Sequence, residues 1–134
     1  MNALRENGEG IQTSTPHLLV VDDEAEIRLL VSRILGRLGY AVDTAFDGKD
    51  ALEKIEREMY DGIVLDLKMP RVNGYEVIAR LRELRHALSR HIVVITADGT
   101  DAVKQVREQV CFILQKPFDV NELAATVREC LSVN

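Results

Sequence analysis

GIVLDLKMP, residues 62–70, decides how the rest of the chain reads. Gly62, Ile63, Val64 and Leu65 form a short apolar run that suits a strand buried on both faces, and it leads directly into Asp66, with Pro70 four residues on. A carboxylate at the end of such a strand is costly to bury alone, so its partners must arrive from other strands. Upstream, HLLVVDD (residues 17–23) has the same form, an unbroken apolar run closed by acids. After it, Ile27, Leu30, Val31, Ile34, Leu35 and Leu38 recur at steps of three and four, and Gly39 stands where a helix would stop. The alternation then repeats: strand at 41–45, helix at 49–58, strand at 62–65, helix at 75–85 and strand at 91–96. It continues with a helix at 101–108, a short strand at 111–114 and a last helix at 120–131. Five strands alternating with five helices predict a doubly wound α/β fold, a five-stranded parallel sheet covered on both faces. Ligands of such sheets bind at the carboxyl ends of the strands, beside the switch in strand order.

Composition bounds the function. The chain has 134 residues, 46% of them hydrophobic and 29% charged, enough for one globular domain with its own core and not for two. A net charge of -5 argues against a nucleic-acid-binding surface as the main activity. Cys111 lies in an apolar run and Cys130 in a helical pattern, and neither has the spacing of a metal site or a disulfide framework. A reducing, cytoplasmic compartment is therefore expected. No apolar run has the length of a membrane span, and the first ten residues, MNALRENGEG, lack the apolar centre of a signal peptide. Residues 1–16 are polar and aperiodic and read as a flexible tail, with the domain covering 17–134.

The carboxyl edge of the expected sheet collects polar residues. Asp22 and Asp23 close the first strand, Asp66 the third and Thr96 the fourth, and Lys116 follows the fifth. Three carboxylates brought together repel one another and raise each other's pKa unless a cation sits among them. Hard oxygen donors without a full protein cage suit Mg²⁺, which keeps waters and binds through a few carboxylates plus phosphate oxygens. A carboxylate can attack a phosphoryl group to give an acyl phosphate, and Asp66, at the tip of the middle strand, is the best placed to do so. Mg²⁺, Lys116 and the Thr96 hydroxyl would neutralise charge on the transferring oxygens.

Each residue also has a plain structural reading. Asp22 and Asp23 suit the N-cap of the following helix, with Glu26 completing a capping box after Asp23. Lys116 alone would be a surface charge and Thr96 alone a strand end. Their joint spacing favours the site, and capping by one of the aspartates is compatible with it. Met69-Pro70 and Asn73-Gly74 read as a loop and turn before the helix from Tyr75.

Through VVDDE at 20–24, DLKMPRVNG at 66–74, TA at 96–97 and KPF at 116–118, residues 17–132 resemble the receiver domains of two-component response regulators. The resemblance is to the chemotaxis-regulator type and implies a flavodoxin-like strand order of 2-1-3-4-5. It further implies that Asp66 accepts a phosphoryl group from a phosphohistidine of a sensor histidine kinase or a phosphotransfer protein. Asp22, Asp23 and Asp66 would bind Mg²⁺ together with the backbone carbonyl of Lys68. Thr96 would move to the phosphoryl oxygens, Lys116 would pair with them, and the bond between Lys116 and Pro117 would be cis, the isomer that costs least before proline. Lys68 and Asp98 would correspond to residues that tune hydrolysis of the phosphoryl group. The chain would be a phospho-acceptor that assists its own phosphorylation and dephosphorylation, not an enzyme.

Departures from the family pattern concern output. The aromatic residue that receivers usually carry three places before the lysine is here Ile113, with Phe112 one place earlier, and the stretch from Thr96 to Lys116 is about two residues shorter than usual. Thr96, Ile113 and Phe112 are thus the candidate switch residues, with Phe112 read first as core and otherwise as an aromatic shifted in register. On the first helix Leu29 falls off the core stripe and is expected to be exposed where receivers dock a kinase. On the last, Leu123, Val127 and Leu131 read as the buried stripe, with Arg128 and Glu129 toward solvent. The expected partners are the phosphodonor and a downstream protein, with no direct nucleic-acid or membrane binding, and the expected state is a monomer or weak dimer. The principal reading is a phosphorylatable switch. The alternative is a phosphorylation-independent interaction module on the same fold. A nucleotide-binding enzyme is disfavoured because no glycine-rich phosphate loop follows the first strand.

Overall fold

A computed structural model describes residues 15–97 and 101–133, with only the backbone of Asp101 and Ala102. Asp98 and most of the tail expected at 1–16 lie outside the described residues. The elements in chain order are β1 (His17–Val21), α1 (Ala25–Arg37), β2 (Ala41–Ala45), α2 (Gly48–Arg57), β3 (Gly62–Leu65) and α3 (Gly74–Glu83). A 3₁₀ turn (Ala87–Arg90) leads into β4 (Ile92–Thr96) and α4 (Asp101–Val106), and a second (Arg107–Gln109) into β5 (Phe112–Gln115) and α5 (Val120–Leu131). All strands are parallel, in the order 2-1-3-4-5.

Strand alternation builds two cores, one on each face of the sheet. Leu19, Val21, Ile63, Leu65, Ile92 and Val94 face one way and pack with Ala51, Val77, Ile78, Leu81 and Val103 from α2, α3 and α4. Leu18, Val20, Val64, Val93 and Ile95 face the other and meet Val31 and Leu35 of α1 and Leu123 and Val127 of α5. Burial on both faces is why β1, β3 and β4 are continuous apolar runs.

Helix ends follow local chemistry. Gly39, at φ +100°, ends α1 in the left-handed region, and the Tyr40 amide donates to the Leu35 carbonyl at 3.2 Å. A capping box opens α3: Asn73 Oδ1 accepts from the Glu76 amide at 3.0 Å, and Glu76 Oε1 accepts from the Asn73 amide at 3.2 Å. Asp119 and Glu122 form the same box at the start of α5.

Four expectations need correction. The core stripe of α1 is narrower than its periodicity implies: Val31 and Leu35 are buried, while Leu30 and Leu38 are about half exposed because α1 covers only one edge of its face. The buried position in the last turn of α5 is Cys130, with Leu131 only partly covered. Asp23 does not cap α1. The N-cap residue is Glu24, without a side-chain cap, and it is Asp22 Oδ1 that accepts from the Glu24 amide at 2.9 Å. Finally, Cys111 and Cys130 form a disulfide with Cα atoms 5.6 Å apart. Their separation of 19 in sequence conceals that the amino end of β5 lies against the end of α5.

Candidate functional site

The register of β1 and β3 assembles the site. Val21 pairs with Leu65, so Asp22 and Asp66, one residue further along, emerge side by side. The Asp66 amide donates to the Val21 carbonyl at 3.0 Å and the Asp22 amide to the Ala45 carbonyl at 3.2 Å, which fixes both backbones before their side chains leave the sheet. Asp22 and Asp66 are buried and Asp23 is exposed. Carboxylate oxygens of all three lie within 4.8 Å of one another.

Lys116 enters from the far side of the sheet. Its amide donates to the Thr96 carbonyl at 2.9 Å, continuing the β4–β5 pairing in which Thr96 sits opposite Gln115, and the Lys116-Pro117 bond is cis. The ammonium lies 3.0 Å from Asp22 Oδ2, 3.3 Å from Glu24 Oε1 and 3.6 Å from Asp66 Oδ2. Thr96 is buried at the same carboxyl edge, at the end of the strand next to that of Asp66.

The electrostatics are unbalanced toward negative charge. Burial pushes the Asp66 carboxyl up to about 6, and the Asp22 and Asp23 charges push the same way against the pull of Lys116 and of the Lys68 amide 3.4 Å from Oδ1. Burial works against the Lys116 ammonium, but the hydrogen bond and charge of Asp22, with Asp66 and Glu24, hold its pKa above the usual lysine value. Lys116 is therefore a fixed cation. The donor set consists of hard oxygens carrying more negative charge than one ammonium offsets, which fits a small divalent cation such as Mg²⁺.

The loop after Asp66 is pinned twice. Gly74 passes so close to the Asp66 carbonyl that a Cβ there would overlap it, and its amide donates to the Leu67 carbonyl at 2.9 Å. Further along, Arg71, at φ +63°, pairs with the buried Asp47, and the Val72 carbonyl accepts from the Gly48 amide at 2.9 Å. Asp47 also caps α2 by accepting from the Asp50 amide at 2.8 Å. Beside Asp23 a groove of about 500 Å³ opens between Lys68, Met69, Pro70 and Tyr75.

All of Asp22, Asp23, Asp66, Thr96 and Lys116 thus lie at one end of the sheet, with Lys68 two residues beyond Asp66 on the same rim. The other two switch candidates, Phe112 and Ile113, sit at the other end of β5. Ile113 pairs with Val94 and packs against the α4 side of the core, whereas Phe112 is 36% exposed, so the reading of Phe112 as a core residue fails and Ile113 takes the inward position. Strand alternation allows only one of two neighbours to face a given core. Leu29 is exposed on α1 as expected.

Sequence reasoning missed three contributors. Glu24, the last residue of the VVDDE run, reaches the ammonium. Arg28 donates to the Asp22 carbonyl at 2.7 Å, one helical turn after Glu24. The Asp47–Arg71 pair spans 24 residues and has no local signal.

The chain matches the family described as "Response regulator receiver domain" over residues 18–128. It is 36% identical over 119 residues to the transcriptional regulatory protein TcrA of Mycobacterium tuberculosis, covering 87% of this chain and 46% of that protein. Against the response regulator ArlR of Staphylococcus aureus it is 37% identical over 116 residues, covering 85% of this chain and 52% of the relative. The chain therefore spans about half the length of these curated relatives. Among solved structures it superposes on the chemotaxis protein CheY4 of Vibrio cholerae with a TM-score of 0.80 at 31% identity, covering 87% of this chain and 99% of that one. A response regulator of Chloroflexus aurantiacus gives 0.81 at 29%, covering 90% and 100%. By its site, its strand order and these likenesses, the chain belongs to the response regulator receiver domains of two-component systems.

Proposed function

We propose that Asp66 takes a phosphoryl group from the phosphohistidine of a sensor kinase or phosphotransfer protein and that the acyl phosphate alters a partner-binding surface. Receiver domains serve phosphorelay signalling in general. The observation that carries the specific reading is the meeting of Asp66 with Asp22, Asp23 and Lys116 at one strand end.

With its pKa pushed up to about 6, Asp66 is still mostly ionised at pH 7, so the nucleophile is available. A carboxylate oxygen attacks phosphorus, the bond from phosphorus to the histidine nitrogen breaks, and that nitrogen leaves with the electron pair. Lys116, held cationic by Asp22, offers its charge to the phosphoryl oxygens. Thr96 donates its hydroxyl to them once they are in place. Asp22, Asp23 and Asp66 with the Lys68 carbonyl would hold Mg²⁺, which supplies neutralisation of the phosphoryl charge. Pinned by Gly74 and Arg71, the loop keeps the Lys68 backbone in place beside Asp66.

On this reading the chain assists its own phosphorylation and dephosphorylation and has no separate substrate to turn over. The exposed Leu29 on α1 supports docking of the phosphodonor on that helix. The output face comprises α4, β5 and α5, read by a downstream protein. A cytoplasmic location fits a phosphodonor of this kind, and among the described residues no helix is long and apolar enough to cross a membrane.

Intact mass after incubation with a small phosphodonor tests the proposal. A gain of roughly 80 Da that requires Mg²⁺ and is absent in Asp66→Asn is the expected result. No gain in a folded protein, either from the small donor or from kinase-borne phosphohistidine, would favour the phosphorylation-independent module. The outward Phe112, with Ile113 in the place of the usual aromatic, is the observation on that side.

A further inference from the structure

The Cys111–Cys130 bond joins the amino end of β5 to the last turn of α5, at the opposite end of the sheet from Asp66. The two cysteines differ in exposure. Cys130 is 1% exposed and enclosed by the core beneath α5, whereas Cys111 is only partly covered. Cys111 also lines an open groove of about 470 Å³ with Val103, Arg107, Phe112, Ile113 and Gln115. Thiol–disulfide exchange needs a thiolate to reach one sulfur along the S–S axis, so access decides which sulfur is attacked. Here that is Cys111. Arg107, exposed on the rim, is the charged side chain among the groove residues, and a cationic rim favours an approaching nucleophile that carries carboxylates.

Both redox states have their polar atoms provided for. A Cα separation of 5.6 Å lies in the ordinary range for a disulfide, so the pair can close without moving the backbone. When open, the Cys111 thiol has an acceptor in the Arg90 carbonyl 3.0 Å from its sulfur. The Cys130 backbone is held independently of the bond, since its carbonyl lies 3.0 Å from His91 Nδ1.

We propose that Cys111 is a thiol–disulfide exchange site for small anionic thiols and disulfides, with Cys130 as resolving thiol and the bond as a reversible latch between β5 and α5. In the opening direction an incoming thiolate attacks Cys111 Sγ, the bond between the two protein sulfurs breaks, and Cys130 leaves as a thiolate that takes a proton. A mixed disulfide remains on Cys111. A second small thiol attacks the small-molecule sulfur of that mixed disulfide and frees the Cys111 thiol. The sum is one protein disulfide and two small thiols going to two protein thiols and one small disulfide. Closing is the reverse, with the small disulfide as oxidant. Disulfides of intracellular proteins, where they occur, are mostly of this transient or sensing kind.

The test uses the whole chain, with glutathione disulfide as the anionic probe and cystamine as the cationic one, and reads adducts by intact mass and peptide mapping. Cys130→Ala should accumulate one glutathione adduct on Cys111, whereas Cys111→Ala should acquire adduct on Cys130 at about a tenth of that rate or less. In the Cys130→Ala background, Arg107→Glu should slow the glutathione reaction by roughly three- to tenfold, as expected for reversing a partly screened charge near the reacting atom. It should not slow the cystamine reaction. In the wild-type chain, mapping of alkylated cysteines across glutathione buffers should show both thiols opening and closing together. Equal adduct rates on the two cysteines would overturn the assignment, as would equal slowing of both probes by Arg107→Glu. Cysteines that stay unpaired in wild-type protein equilibrated with glutathione disulfide would overturn the latch itself.

Discussion

Asp66 shows how a single side chain can be destabilising because of its place in a functional site. Its carboxyl titrates at about 6 when folded and near 3.8 when free, so between these pH values the folded chain holds more protons than the unfolded one. Stability therefore falls as pH rises from about 4 to about 6 and levels off above, with an upper bound of about 3 kcal/mol for this group. Replacing it with the neutral Asn should relieve that conflict. Metal-free Asp66→Asn is expected to be more stable than the parent by about 1–3 kcal/mol at pH 7.5 and by much less at pH 4.5, measured by urea unfolding. An equal or lower stability at pH 7.5 would mean that burial and the Asp22 and Asp23 charges together do not penalise the Asp66 carboxylate in the folded chain. Asp47 is the opposite case. Burial alone would raise its pKa, but hydrogen bonds from the Asp50 amide, Arg71 and the Lys49 amide overcome this and lower it. Its contribution is present at neutral pH and is lost as pH falls through its depressed folded value. Asp47→Ala removes a helix cap and the partner of Arg71 together, and should cost about 2 kcal/mol at pH 7 in the same unfolding experiment.

At the scale of elements, the disulfide shows most clearly what lay outside the reach of a one-dimensional reading. Closing a loop across 19 residues restricts the unfolded chain, and reduction should lower stability by roughly 3 kcal/mol on the chain-entropy account. Comparing urea midpoints of the oxidised chain with those of the chain in excess reductant checks this, and coincident midpoints would mean that the bond contributes nothing. The strands buried on both faces were legible because apolar runs ending in acids are local patterns, and from them followed the sheet and the gathering of Asp22, Asp23, Asp66, Thr96 and Lys116 at one edge. What periodicity could not reveal was how much of each stripe a neighbour covers, hence the exposure of Leu30 and Leu38. The one-residue shift of β5, from an expected 111–114 to Phe112–Gln115, has a similar origin, since pairing with β4 sets the register of a short edge strand. The Asp47–Arg71 pair and the cysteine pair are contacts between distant segments and exist only once the sheet order is fixed.

For the molecule as a whole, the acidic edge couples folding to its ligand. A cation that binds the folded carboxylates and not the unfolded chain raises stability by an amount set only by its concentration relative to its dissociation constant, about 2.7 kcal/mol at a hundredfold excess. For a domain of this size that corresponds to an increase in Tm of roughly 10 °C. The dependence on pH supplies a second signature, because protons and the cation compete for Asp66. Its carboxyl is half protonated near pH 6, so the stabilisation by Mg²⁺ at fixed concentration should shrink as pH is lowered from 7.5 to 5.5. Thermal unfolding across a Mg²⁺ titration at these two pH values should show a concentration-dependent rise that is larger at the higher pH and greatly reduced in Asp22→Asn. Ionic strength is held constant with a monovalent salt, so that screening of the net charge of -5 does not imitate binding. A rise that survives unchanged in Asp22→Asn would place the cation elsewhere on the acidic surface. No rise at all would mean that Lys116, 3.0 Å from Asp22 and 3.6 Å from Asp66, already offsets enough of the negative charge to leave Mg²⁺ no advantage.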